Sequence, residues 1–128
     1  MRIKTLICNC KGLSAPFRNS DMNTLPFEIE SDLEVDYAIV HPQLCGAGGS
    51  KVMEDVLRSA EDDPDTIVIV GACEPEAQQK LFKKVLRKTG FDQDHLVAID
   101  IRSTTNGGIL DRLRERIEEL VQPKEKHH

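Results

Sequence analysis

The sequence predicts an α/β fold: an open, mainly parallel four-stranded sheet with helices on both faces, a three-layer arrangement of Rossmann-like or flavodoxin-like type. Two observations lead there. Short β-branched runs alternate with longer stretches of helical periodicity, in the order strand, connection, strand, helix, strand, helix, strand, helix. One of those runs, Thr66-Ile67-Val68-Ile69-Val70, is apolar without a break, as in a central strand covered on both sides.

The first strand is read over residues 3 to 8 and ends in Cys8-Asn9-Cys10-Lys11-Gly12. From Leu13 to Asp36 the pattern is broken by Pro16, Pro26 and a polar run. Leu25, Ile29 and Leu33 allow a short helix there, while Phe27 and Ile29 alternating with Glu28 and Glu30 allow a short edge strand; both stay open. Tyr37 to Val40 is the second strand. Gly46 to Gly49 then read as a flexible turn, with Ser50 as N-cap of a helix whose buried stripe is Val52, Met53, Val56, Leu57 and Ala60. After the third strand, Pro75 opens a helix with Ala77, Leu81, Phe82, Val85 and Leu86 inward, closed by Gly90. Leu96 to Ile101 forms the fourth strand. Helix-start residues at Ser103 to Asn106 precede a final amphipathic helix through Ile109, Leu110, Leu113, Ile117, Leu120 and Val121, which Pro123 is expected to end. Residues 1–123 read as one domain and 124–128 as a polar tail whose two terminal histidines suit either a native end or the remnant of a purification tag.

A chain of 128 residues can bury roughly two-thirds of its unfolded surface, so one core suffices. The apolar runs are too short to span a bilayer, and the start lacks the long apolar stretch of a secretory signal, so a cytoplasmic location without membrane insertion is expected. A net charge of −5 disfavours binding along a nucleic-acid backbone. In a reducing compartment, four cysteines in a small domain point to metal binding or catalysis rather than to disulfides.

Those four, Cys8, Cys10, Cys45 and Cys73, follow three predicted strands. Open parallel sheets bind their ligands outside the carboxyl ends of the strands, so the usual place of a site and the place of the thiols coincide. A four-iron cluster needs thiolates arranged around a cube, which several loops supply more readily than one hairpin does. Helices starting after Cys45 and Cys73 would offset the negative charge with their positive ends. Three other readings stand beside this one. The cysteines can be inert core residues. They can hold zinc, although the single residue between Cys8 and Cys10 is short for a zinc ribbon. Cys8 and Cys10 can form a redox dithiol with Cys45 or Cys73 as the resolving thiol.

The Gly46-to-Lys51 turn fits neither the P-loop nor the dinucleotide fingerprint. His41 and His95 read as structural or solvated. Arg102 faces the same edge and reads as a surface salt-bridge partner, with tuning of a cluster as the functional alternative. No hydrolytic nucleophile emerges beyond the thiols.

Ile7-Cys8-Asn9-Cys10, His41-Pro42-Gln43-Leu44-Cys45-Gly46-Ala47-Gly48-Gly49, Val70-Gly71-Ala72-Cys73-Glu74-Pro75, Gly90-Phe91 and Ile99-Asp100-Ile101-Arg102 together resemble the N-terminal domain of the heterodisulfide reductase A subunit over nearly the whole chain. The resemblance implies a small α/β domain holding a 4Fe-4S cluster on Cys8, Cys10, Cys45 and Cys73, with no flavin site in this chain. It also implies an electron-transfer component rather than a stand-alone enzyme, with a flavoprotein, other heterodisulfide reductase components or a ferredoxin as partners. The family's members continue into a flavin module, so this chain is expected to be a stand-alone protein or a detached subunit. Two departures bear on chemistry. Glu74-Pro75-Glu76 stands where relatives commonly carry Ser-Pro-Arg, and Ser103-Thr104-Thr105 where many have a His-Cys pair, so all four cysteines would be needed.

Overall fold

The computed structural model describes residues 2–8, 21–41, 44, 47–60, 63, 65–73 and 75–125. In chain order the elements are β1 (Ile3–Cys8), α1 (Leu25–Asp32), β2 (Tyr37–His41), α2 (Ala47–Ser59), β3 (Ile67–Ala72), α3 (Pro75–Thr89), β4 (Leu96–Asp100) and α4 (Asn106–Glu125), with a 3-10 turn at Gln93–His95 leading into β4. The four strands form one sheet in the order β2-β1-β3-β4, and every neighbouring pair is parallel. This is the expected three-layer α/β fold.

Strand alternation sorts the core into two layers. Ile3 and Ile7 of β1, Ile67 and Ile69 of β3, and Val97 and Ile99 of β4 pack with Leu25 and Ile29 of α1 and Ile109, Leu110 and Leu113 of α4. The alternate residues, Leu6 and Cys8 of β1 and Val68, Val70 and Ala72 of β3, pack with Met53, Val56 and Leu57 of α2 and Phe82 and Val85 of α3. Central strands β1 and β3 are buried along their whole length, as the uninterrupted apolar run of β3 requires.

Between Leu25 and Leu33 the structure decides in favour of a helix, while residues 13–20 of the open segment lie outside the described residues. Leu25 and Ile29, four residues apart, are fully buried, whereas Phe27 is 69% exposed, so the 3.6-residue period prevails over strict alternation. Pro26 fits because the first helical positions have no intrahelical N–H to lose.

Strand β3 ends at Ala72 rather than Val70 and β4 at Asp100 rather than Ile101, and two helix boundaries also move. Helix α2 begins at Ala47 rather than after a Ser50 cap, so Gly48 and Gly49 lie in its first turn instead of in a flexible turn. Gly49 is buried there, whereas Gly48 is exposed and a Cβ on it would make ordinary contact with His41 Nε2 at 3.9 Å, so the turn passes beside the end of β2. Helix α4 runs through Pro123 to Glu125. Proline forfeits one backbone hydrogen bond, but its fixed φ is helical, and two more residues follow before the helix ends.

Candidate functional site

The strand order fixes where a site belongs. From β1 the chain moves to β2 on one side, then crosses through α2 to β3 on the other side of β1. The sheet therefore reverses direction between β1 and β3, and the crevice at the carboxyl ends of these two strands is the topological switch point. Cys8 is the last residue of β1, and Cys73 directly follows the last residue of β3. The register Ile7↔Gly71 sets Ala72 level with Cys8 and Cys73 one residue farther out, on strands that lie about 4.8 Å apart. The structure thus brings two of the four expected thiols to adjacent strand ends. Cys10 and Cys45 lie outside the described residues.

Cys8 is buried, 5% exposed, on the α2/α3 side of the sheet. Its Sγ accepts a hydrogen bond of 3.4 Å from the backbone N–H of Leu44, itself 1% exposed. That bond fastens the connection between β2 and α2 onto the end of β1. On the other flank, His41 pairs in register with Cys8 and is half-buried next to the first turn of α2.

Cys73 is half-buried, and the structure holds it through its backbone. Gln78, 1% exposed in the first turns of α3, donates its Nε2 both to the Cys73 carbonyl at 2.6 Å and to the Ile99 carbonyl at 3.2 Å. One amide therefore links the loop after β3 to the end of β4. Its Oε1 is buried and meets no donor among the described residues. Sequence reasoning missed Gln78, yet a signal was present: it stands four and seven residues before Phe82 and Val85, on the stripe of α3 that should be apolar throughout.

Farther along the same edge, Arg102 forms a two-pronged ion pair with Asp100, Nε to Oδ1 at 3.0 Å and Nη2 to Oδ2 at 2.8 Å. The Arg102 backbone N–H donates to the same carboxylate at 2.9 Å. These hydrogen bonds hold the Asp100 carboxyl below the usual carboxylate range, with the Arg102 and Arg112 charges acting in the same direction against partial burial. Arg112 of α4 donates Nη1 to the Asp100 and Arg102 carbonyls at 2.8 and 3.0 Å. Asp100, Arg102, Ser103 and Arg112 line a shallow cavity of about 350 Å³. Ser103 has φ +60°, a left-handed turn that redirects the chain from β4 into α4. The expected salt bridge at Arg102 is present, and its partner, Asp100, is two residues away on its own strand end.

His95 lies in the 3-10 turn that leads into β4, at the opposite end of that strand from Asp100, away from both thiols. Among the described residues, no three histidine, cysteine or carboxylate side chains gather into a metal-binding group. No model of a known protein family matches the chain. No curated protein matches it either.

Proposed function

We propose that this protein is an iron-sulfur electron-transfer protein or subunit, in which Cys8, Cys10, Cys45 and Cys73 hold a 4Fe-4S cluster, as the resemblance to the heterodisulfide reductase A N-terminal domain implies. The observation that carries the reading is the pair Cys8 and Cys73, two thiols on adjacent central strands at the switch point of the sheet. The donors suit the group: soft sulfur ligands, one already accepting a backbone N–H, with α3 starting two residues after Cys73 so that its positive end faces the added negative charge. When bound, such a cluster supplies reversible one-electron transfer. The chain's own part is to hold the thiolates in place. Leu44 N–H orients the Cys8 sulfur, and Gln78 fixes the backbone of Cys73. Arg102 stays engaged with Asp100 at the rim. The reaction partner is then a flavoprotein or ferredoxin in the cytoplasm. No helix among the described residues is long and apolar enough to cross a membrane.

Iron and acid-labile sulfide measured on anaerobically purified protein, or after anaerobic reconstitution, test the proposal. A brown protein with about four irons per chain is expected, with Cys73→Ser and Cys8→Ser each abolishing retention of the full complement. A colourless protein after reconstitution, with all four thiols freely alkylated, defeats it. A metal-free oxidised protein two protons lighter, cross-linked between Cys8 and Cys10, would move the assignment to thiol–disulfide chemistry.

A further inference from the structure

The outer edge of β4 lies in a groove of about 870 Å³ between α3 and α4. Its floor is the edge itself, Leu96, Val97 and Ala98; Phe82 and Leu86 of α3 wall one side and Leu120 of α4 the other. The backbone of β4 indicates what this groove lacks. Ile101 N–H donates to the Ala72 carbonyl at 3.0 Å. In a parallel ladder alternate residues bond to the neighbouring strand, so Val97 and Ile99 direct their backbone groups toward β3, and Leu96, Ala98 and Asp100 direct theirs outward.

Both ends of that outward row are closed. Leu96 N–H donates to the Gln93 carbonyl, and the Asp100 carbonyl accepts Arg112 Nη1. Between them, the Leu96 carbonyl, both backbone groups of Ala98 and the Asp100 N–H have no partner among the described residues. The open stretch is the length over which a short extended segment makes ladder bonds.

The charge around the groove selects the segment. Lys80, Lys83, Arg87 and Arg116 line it, against the single carboxylate of Asp94, in a chain whose net charge is −5. Arg116 is paired with Glu119, but among the described residues no carboxylate pairs with Lys80, Lys83 or Arg87. Two copies joined edge to edge would bring these cationic rims together, which disfavours self-association.

We infer that the β4 edge is a docking site for an extended, acidic segment of a partner protein, which adds to the sheet as a fifth strand. Main-chain bonds at Ala98 would supply affinity. The apolar walls would take alternate side chains of the segment, and the basic rim would take the acidic ones. The inference is independent of the thiols, because the groove lies on the side of β4 away from β3.

A fluorescein-labelled hexapeptide, Glu-Val-Glu-Ile-Glu-Val, titrated into the full chain and followed by fluorescence anisotropy provides the test. Saturable binding is expected, weakened by added salt and absent for Lys-Val-Lys-Ile-Lys-Val. Ala98→Pro removes the outward N–H without touching the bonds to β3, a substitution that edge strands tolerate, and should weaken binding at least about tenfold. Lys83→Glu combined with Arg87→Glu should do the same. Peptides N-methylated on alternate residues need no protein variant: one of the two alternating sets should lose binding and the other keep it, because only one row of N–H groups faces β4. Absence of saturable binding, or binding indifferent to both Ala98→Pro and N-methylation, overturns the inference. A concentration-dependent dimer seen by sedimentation and abolished by Ala98→Pro also overturns it, by giving the edge to a second copy.

Discussion

On the α1/α4 face of the sheet, Ile3, Ile7, Ile69, Ile99 and Ile101 meet Leu25, Ile29, Ile109 and Leu113 in a nearly pure aliphatic layer. The α2/α3 face also has Leu6, Val68, Val70 and Leu57, but it admits Cys8 into the same layer, and Gln78 of α3 buries its amide against the Cys73 and Ile99 carbonyls. At the amino end of β1 this second face also buries Lys4, whose Nζ donates to Ser59 Oγ of α2 at 2.8 Å and lies 5.5 Å from the centre of the Tyr37 ring. A polar exception on the aliphatic side is Thr5, fully buried. A buried polar group costs stability unless its bonds are made, so a layer that keeps several is shaped by more than packing. One face holds the sheet together; the other positions sulfur, amide and ammonium groups along its strands. Even the polar link on the α1/α4 side is structural: Asn106 at the start of α4 exchanges hydrogen bonds with the Asp21 backbone and donates to Glu28 of α1.

If the faces divide in this way, a change on the aliphatic face should alter stability and leave the thiols alone. Gly71 of β3 is the sharpest place to test this. A Cβ there would lie 2.9 Å from both Ile7 Cδ1 and Ile101 Cγ2, closer than packed carbons approach. Gly71→Ala is expected to cost about 1–3 kcal/mol in urea unfolding, with alkylation rates of the native thiols unchanged. Adding Ile7→Val removes the clashing Cδ1 and should recover part of the loss. A Gly71→Ala variant of full stability, or one with altered thiol rates, would erase the distinction between the faces.

The converse experiment belongs to the α2/α3 face. Gln78→Ala leaves the Cys73 carbonyl without its 2.6 Å donor and removes the tie to Ile99. A loss of about 1–2 kcal/mol is expected, together with a several-fold faster alkylation of Cys73 as its loop gains freedom. Gln78→Met keeps most of the volume but not the donor. It should lose less stability yet show the same gain in thiol rate, which separates positioning from packing. If neither variant changes the rate at Cys73, the amide serves packing alone.

How much of this is legible in the sequence depends on how local the signal is. The β-branched run at Ile67 to Val70, the stripes of α3 and α4 and the stop at Gly90 are written in neighbouring residues. Gly90 indeed takes φ +71° after α3. The Leu25–Asp32 helix stays ambiguous in the sequence because eight residues offer only two turns of period, and Phe27 and Ile29 fit a strand as well as a helix. The start of α2 escapes propensity rules because glycine is a poor helix former, yet Gly48 and Gly49 lie in its first turn. At the edge of the sheet, the strand-end positions of Cys8 and Cys73 follow from the strand pattern alone. The bond from Leu44 to Cys8 spans 36 residues and that from Gln78 to Ile99 spans 21, and no spacing rule encodes either one. Their existence depends on the strand order, which sets β1 between β2 and β3.

The smallest effect expected separates the rim of the site from its interior by pH. Hydrogen bonds from Arg102 hold the Asp100 carboxyl below its ordinary value, so the folded state binds that proton less readily than the unfolded chain does. A lowered folded-state pKa adds stability that is fully present above the unfolded value, about 4, and is lost as pH falls through the folded value. Unfolding midpoints measured from neutral pH down through this acidic range should therefore fall, and Asp100→Asn should flatten part of that fall while lowering stability modestly at neutral pH. The change is small because the side chains of Asp100 and Arg102 are each 36% exposed and water screens the pair. Glu54 of α2, held low by Lys88 and Arg58, contributes in the same direction, so Asp100→Asn alone should remove only part of the slope. An Asp100→Asn variant with the full acid dependence would mean that the Asp100–Arg102 pair orders the end of β4 without contributing to its stability. The rim would then differ from the interior only in exposure.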